Sequence, residues 1–523
     1  MSTDLLPDKK TAATEIISNE ERRRSDAVGR LAVGASISLI GKIAGRGIDF
    51  TKQVVLARLL SVEAFGLYAL IWNLLRIVGI LAILGLQNGL VQFAMPFHKT
   101  EGGKFKDVIL RALALSLTVA VGVSGLLWVS APWLAANLFD DPGFTPAFRV
   151  FVFILPPMIG LRVAANATRI SQRMQYAIYA EELLQSISAL LLFLLFFLAG
   201  WQLFGAILAA TLSYVLAFAL ICYYLYRLFP TAFRQKRQHA LTNKTLLTYS
   251  IPTAFASMFG VVVNRFDRLF IGYYLSTAEV GVYQAAAQFS IVFALVLDGF
   301  NSIFSPMIVD LYYKGHYAEL QDIFRISTKW AIYVNLPFFL VIFLAPASFM
   351  EAVFGPAYLA GAIPLVILTA GQAVNISVGG VGMMLVMTGR QKAWFVTSGS
   401  MMLLSIVLNV TLIPRWGIVG AAVATAVTIS LLFILGLLQV RFLLHLWPYD
   451  SRYKKGLLAA AVAIAGILLA RLVWQLPPLP DVLLTALLSG VLFFGMLLLL
   501  GLDEEDKTFL RALSAKIGQR KRR

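Results

Sequence analysis

One cysteine, four histidines and 27 acidic residues are few for a chain of 523. The cysteine, Cys222, stands inside an apolar run, so no intrachain disulfide can form and cysteine usage says nothing about redox compartment. His98, His239, His316 and His445 fall near segment ends or in basic loops, without metal-ligand spacing, and no metal site is expected. Charged residues of both signs make up 14% of the chain. An ordinary soluble chain carries ~25%, so that class is excluded. Long polar loops are also missing, and the few acids between spans on the side away from the termini, Asp140, Asp141 and Glu351, do not assemble a nucleophile, base and orienting group.

Apolar residues fill the space, at 59% with mean hydropathy +0.80. That exceeds the ~45–50% of soluble chains, and the excess has to face lipid. The formal charge of +17 does not call for a nucleic-acid partner, because a multispan protein collects basic residues on one side of the membrane. The N-terminal segment is polar, and the first apolar stretch lacks a small-residue cleavage site after it, so a retained helix is expected rather than a signal peptide.

A spanning helix needs ~20 mainly apolar residues. Fourteen such stretches can be counted, near 31–58, 62–94, 108–132, 145–167, 176–199, 203–226, 247–274, 278–308, 326–348, 358–387, 393–413, 416–441, 456–474 and 480–501. With this count the basic residues partition unevenly between the two sides. The N-terminal side collects Arg22, Arg23, Arg24, Lys104, Lys106, Arg234, Lys236, Arg237, Lys314, Arg325, Lys329, Arg390, Lys454, Lys455 and the basic tail, whereas the other side receives Arg58, Arg149, Arg415 and Arg471. The asymmetry predicts cytoplasmic termini in a multi-pass protein of the cell (cytoplasmic, inner) membrane.

An internal repeat organises the spans. Ser-Val-Glu-Ala-Phe-Gly-Leu-Tyr around Gly66 matches Thr-Ala-Glu-Val-Gly-Val-Tyr around Gly281, and Trp201-Gln-Leu-Phe-Gly205-Ala matches Trp416-Gly-Ile-Val-Gly420-Ala in the same register. Six spans per unit is an even number, so the two copies insert in the same direction as a parallel repeat. The predicted fold is an all-α polytopic membrane protein of about fourteen transmembrane helices: two six-helix lobes plus an appended C-terminal pair. The divisions are a cytoplasmic tail over 1–29, an N-lobe over 30–226, a basic linker over 227–246, a C-lobe over 247–442, the appended spans over 443–501 and a basic tail over 502–523. The appended pair, outside the repeat, is expected to be dispensable for recognition.

Seven bases remain inside the spans: Lys42, Arg46 and Lys52 in the first, Arg76 in the second, Arg162 in the fourth, and Arg265 and Arg268 in the seventh. A charge at mid-membrane costs ~2.5–3.5 kcal/mol, so each needs a partner or an aqueous cavity. Asp49 and Asp267 are the acids within reach in sequence, and Lys42, Arg46 and Asp49 share one helix face. Two acids do not neutralise seven bases, and surplus cationic charge would suit an anionic head group, with Arg gripping phosphate oxygens bidentately. We assign Lys42, Arg46 and Arg265 to such a cavity, and Lys52 and Arg76 to pairing or snorkelling; Arg162 and Arg268 fit either role. Asp298, Asn88, Gln87, Gln372 and Asn375 are further polar groups at depth, open to a sugar or coupling ion, though interhelical hydrogen bonding is the commoner use. Glu181 and Glu182 read as acids suited to a helix start.

Several stretches taken in order resemble one family. They are Leu56 to Tyr68, Phe266-Asp-Arg-Leu-Phe-Ile-Gly with Gly281-Val-Tyr, Val353-Phe-Gly-Pro-Ala-Tyr, Thr388-Gly-Arg-Gln-Lys and the Asn409 to Thr425 segment. Over roughly residues 30–442 the chain is similar to the Wzx-like polysaccharide transporters, oligosaccharide flippases of the multidrug/oligosaccharidyl-lipid/polysaccharide (MOP) superfamily. The resemblance implies two lobes forming a V, with alternating access carrying an undecaprenyl-pyrophosphate-linked glycan to the outer leaflet. It implies no cofactor and leaves the coupling ion, a proton or sodium, open. The partners it implies are the lipid-linked oligosaccharide, membrane lipids and glycan polymerase or export machinery. The first span lacks the adjacent Arg-Asp pair of the peptidoglycan-precursor branch, which favours surface polysaccharide, a lipopolysaccharide or exopolysaccharide. A membrane glycan polymerase or ligase, and a cation-coupled drug exporter of the same superfamily, are the competing readings.

Overall fold

The computed structural model describes residues 41–501 except 99, 140, 172 and 264, together with 503 and 506; the side chains of 255–263 and of several positions between 291 and 306, Asp298 among them, lie outside the described residues. So do the predicted N-terminal tail, the start of the first span and most of the basic C-terminal tail. The described residues form helices and connecting turns without a strand. Lipid offers the backbone no hydrogen bonds, and a helix satisfies its own within one segment.

Among the described residues fourteen spans follow in order. They are α1 (41–59), α2 (Val62–Phe97, in two pieces), α3 (Gly102–Phe139), α4 (Phe144–Arg169), α5 (Gln175–Leu198) and α6 (Gln202–Leu228). Then come α7 (Asn243–Val263 and Phe266–Tyr274), α8 (Thr277–Val292 and Ala294–Tyr313), α9 (Tyr317–Leu344) and α10 (Pro356–Val378). The helical run Gln391–Leu444 is broken at Gly417, with φ 58° and ψ −139°, and this break separates α11 from α12. A backbone at that φ carries no penalty only in glycine. The appended α13 (Tyr453–Val473) and α14 (Pro478–Leu499) close the series.

The repeat is visible in the packing. Gly205 lies against Phe196 and Trp201 where α5 turns into α6, and its counterpart Gly420 lies against the Leu412 backbone where α11 turns into α12. The other matched pair meets face to face. A Cβ on Gly66 would strike the Thr277 carbonyl and the Gly281 amide, and one on Gly281 would strike the Val62 carbonyl and Gly66. The N-terminal ends of α2 and α8 therefore cross backbone to backbone, which small residues permit and larger ones forbid. The lobes also touch toward the opposite end of α2, where Gly85 and Gly89 lie against Ser250 of α7. Contact at both ends of α2 replaces the open V that the family resemblance implies.

On the side of the C-terminus, the linker lies on α3. Asp107 is 1% exposed and accepts from Arg111 Nε (2.7 Å), Arg237 Nε (2.5 Å) and the Ala240 amide (3.0 Å). The appended pair is tied to the C-lobe at both ends. Asp481 of α14 accepts from Ser348 and from Arg471 of α13. At the other end Lys329 of α9, 1% exposed, reaches Asp503 and Asp506, and Trp330 donates to Asp506. Lys329, counted with the loop bases from sequence, is thus an interior residue neutralised by the C-terminal tail. Burial opposes ionisation of Asp503, but Lys455 and Lys329 outweigh it and hold the carboxyl below the usual carboxylate range.

Candidate functional site

Two small residues bring the charges of the N-lobe together. Gly41 and Gly45, one turn apart on α1, pack on Ile178 and on the Glu182 backbone at the start of α5. Glu181 and Glu182 lie there in a π-helical turn, Tyr179–Leu184, a local widening of the helix. Glu182 stands in the field of Arg46 and Lys42, and Glu181 in that of Arg169, Arg162 and Lys42. Arg169 closes an ion pair on Glu181 at 2.5 Å. On the next turns of α1, Lys52 pairs with Asp49 at 2.5 Å and is 6% exposed, the pairing role expected of it.

From Arg162 the charges continue across the lobe boundary. Arg162 feels Arg76 of α2, and Arg265 of α7 feels Arg76, Arg268, Asp267 and Asp49. Arg76 lies with its guanidinium carbon 5.0 Å from the centre of the Trp72 ring, and its buried Nε has no hydrogen-bond partner. Arg265 occupies the N-cap of the second piece of α7, Phe266–Tyr274, where the helix restarts. It donates to Asn73 Oδ1 of α2 at 2.8 Å. Asn73 in turn donates to Gln284 of α8 at 3.3 Å, and Arg268 Nε donates to the same Gln284 oxygen at 3.2 Å. The string ends at Asp267, 1% exposed, which accepts from Arg268 (2.6 Å), Tyr283 (2.6 Å) and Thr425 of α12 (3.0 Å).

The sequence-predicted residues thus fall into three groups. Lys42, Arg46 and Arg162 gather around the acids of α5; Arg265 stands at the lobe boundary; Arg268 and Asp267 form a saturated buried pair inside the C-lobe. Among the described contacts none joins Asn88, Gln372 or Asn375 to this string: Asn88 is exposed, and Asn375 donates to Gln372 along α10 at 3.0 Å. Four acids, not two, meet the seven bases, because Glu181 and Glu182 join them; the balance remains positive. Sequence reasoning missed Asn73, Gln284 and the place of Arg76 at the lobe boundary. A signal existed: Trp72, Asn73 and Arg76 are three polar-capable residues on one turn of an otherwise apolar helix, a costly arrangement in lipid.

Arg265 of one lobe meets Asn73, one turn from Arg76 of the other, at a broken helix whose restart carries a positive dipole end and whose Arg268 amide already donates to Asp267. Such a place can receive an anion. A family model described as polysaccharide biosynthesis protein matches residues 31–312, more than half of the chain. The chain belongs to the polysaccharide biosynthesis protein family. An uncharacterized membrane protein of Methanocaldococcus jannaschii is 21% identical over 488 residues, 89% of this chain and 94% of its own length. A Haloferax volcanii protein named "Probable low-salt glycan biosynthesis flippase" is 27% identical over 190 residues, 36% of this chain and 40% of its own. Among solved structures, a lipid II flippase MurJ in an inward closed conformation superposes with TM-score 0.70 at 14% identity, covering 91% of this chain and 98% of that one. An inward-facing multidrug resistance transporter of the MATE family, of the MOP superfamily, gives TM-score 0.62 at 14% identity, covering 77% and 94%. This member of the family is a multi-pass membrane protein with the fold of those solved transporters.

Proposed function

We propose that this chain is a flippase that carries a polyprenyl-pyrophosphate-linked oligosaccharide from the cytoplasmic to the outer leaflet for surface polysaccharide synthesis. The observation that carries the reading is the seating of Arg265, at the restart of α7, on Asn73 of α2 across the lobe boundary, one turn from Arg76, whose buried Nε makes no hydrogen bond. Like charges placed together at depth are unfavourable alone, and an anion between them would offset both their repulsion and their desolvation. A pyrophosphate supplies the charge and the planar oxygen pairs that guanidinium groups match. Lys42 and Arg46, held near Glu182, sit closer to the C-terminal side and serve as the first contact for a head group entering there. Arg268, already bound to Asp267 and Gln284, positions the α7 restart rather than touching substrate.

Alternating exposure of the boundary between two lobes gives transport without a covalent step. The family, the printed names of the relatives and the cationic balance support this reading over a cation-coupled drug exporter, whose cavity would favour acids. Deletion of the protein tests it. Lipid-linked glycan should accumulate in the cytoplasmic leaflet, and unchanged lipid-linked pools together with normal surface polysaccharide would sink the reading.

A further inference from the structure

Parts of three stretches that resemble the family lie away from the cationic string, and they meet one another. The C-terminal end of α1 contributes Ala57 and Arg58, the start of α2 contributes Phe65 and Gly66, and the start of α8 contributes Gly281. Facing them is the C-lobe segment after α9: a short helix Pro346–Val353, Gly355 and the turn Pro356–Gly361. By the parity of the spans this seam lies at the end of the bundle remote from the C-terminal tail.

Arg58 grips the end of the short helix. Its Nε donates to the Val353 carbonyl at 2.9 Å, and its Nη2 donates to the carbonyls of Glu351 (3.4 Å) and Ala352. The last carbonyls of a helix lack intrahelical donors and carry the negative end of its dipole; Glu351 also accepts from the Gly355 amide, so the guanidinium from the other lobe chiefly completes Ala352 and Val353. Gly355, at φ 113°, then reverses the chain in a conformation that other residues avoid. This brings Tyr358, 2% exposed, to donate to the Ala57 carbonyl at 3.0 Å and to set its ring edge-on to Phe65. Phe354 stands edge-on to Phe50 of α1. Beside this clasp, the Gly66–Gly281 crossing brings two backbones together with no side chain to interlock.

The chemistry of the clasp suits repeated breaking. Arg58 is exposed, so water can take over each of its bonds as the seam parts, and the released helix end is solvated in turn. A buried ion pair such as Arg268–Asp267 has no such exchange available. We infer that Arg58 is the latch of a gate between the lobes at the end remote from the C-terminal tail, with Tyr358 as its second bolt. Parting of this gate opens the cationic interior to that side; the inference rests on the flippase reading only for the purpose the gate serves.

The test uses the purified full-length chain in lipid nanodiscs with Cys222→Ser and a single cysteine at the seam, Ala57→Cys, where the native residue is 3% exposed. The rate of its reaction with a maleimide is measured. Labelling should be slow with Arg58 in place and about tenfold faster in Arg58→Gln, the effect of losing a set of charge-assisted hydrogen bonds. Arg58→Lys, which keeps the charge but not the fork, should fall between, and Tyr358→Phe should give an acceleration of about threefold. A second single-cysteine variant, Ala217→Cys in the core of the N-lobe, reports on general loosening. Equal rates at Ala57→Cys with and without the Arg58 side chain would overturn the inference. So would parallel acceleration at Ala217→Cys, which would make Arg58 a support of the whole fold. The readout needs no substrate, so collapse of the flippase reading would leave a positive labelling result standing, and collapse of the gate would leave the cationic interior as described.

Discussion

The seam and the cationic string join the same two lobes by opposite means. At the seam the contacts are backbone to backbone, guanidinium or phenol to carbonyl, and ring to ring, and its residues lie in stretches that resemble the family, as Asp267 and Arg268 of the string also do. Along the string the contacts run between side chains, Asn73 to Gln284 and Arg265 to Asn73, amid charges that are not balanced. Shape decides the first region and charge the second. A substitution at the seam should therefore act through folding or gating, whereas one on the string should act on what the protein carries.

The sharpest way to break that contrast is Gly66→Val. Its side chain would enter the Thr277 carbonyl and the Gly281 backbone, which cannot move as a flexible side chain could. Overpacking costs ~1–3 kcal/mol even where neighbours adjust, and here they are backbone, so folded protein should disappear from the membrane fraction. Normal levels of monodisperse Gly66→Val on size exclusion would remove the close crossing from the account. Asp267→Asn comes next. It removes the negative charge that Arg268, Tyr283 and Thr425 share, and breaking a buried pair from one side costs ~3–5 kcal/mol. Melting temperature and export should fall together.

Arg265→Gln and Arg76→Gln should separate the two properties. Each removes a charge at the lobe boundary while leaving a hydrogen-bonding side chain, so surface polysaccharide should fall about tenfold or more at unchanged protein levels, the scale of one lost charged contact. Export at wild-type rates in both would move the anion site elsewhere. Smallest is the effect of acid on the C-terminal tie. Because the Asp503 carboxyl is held below its usual value of 3.8, its contribution is present in full above about pH 4 and is lost as pH falls further. Trp330 fluorescence, which reports the neighbouring Asp506 contact, should change in that window and not between pH 5 and 8. A transition near neutrality would assign the tie to other groups.

The ties also bear on the appended pair. Sequence alone makes α13 and α14 an addition outside the repeat, expected to be dispensable for recognition. Their anchorage through Asp481, Asp503 and Asp506 makes truncation a test of C-lobe stability first, since Lys329 would be left buried without its acids.

Much of the fold was legible because lipid imposes a simple grammar. Apolar runs of fixed length become helices, and bases mark the ends on one side; the matched glycines of the repeat fall where two backbones must approach. Less of the site was legible. Glu181 and Glu182 read as helix-start acids because nothing in their local sequence announces a π turn, which arises where α1 packs at Gly41 and Gly45. Arg76 read as a pairing residue because its nearest acid in sequence is far away, and only the arrival of α7 beside α2 sets Arg265 against it.

The chain's own composition determined that it lives in lipid, as two repeated six-helix lobes with an appended pair, since burial of apolar surface and internal hydrogen bonding depend on residue type and run length alone. Which charges neutralise one another was decided by the tertiary structure. Coulomb interaction falls with distance in space and takes no account of distance in sequence, so Arg265 came to bond Asn73, 192 positions away, while Asp267 paired with Arg268.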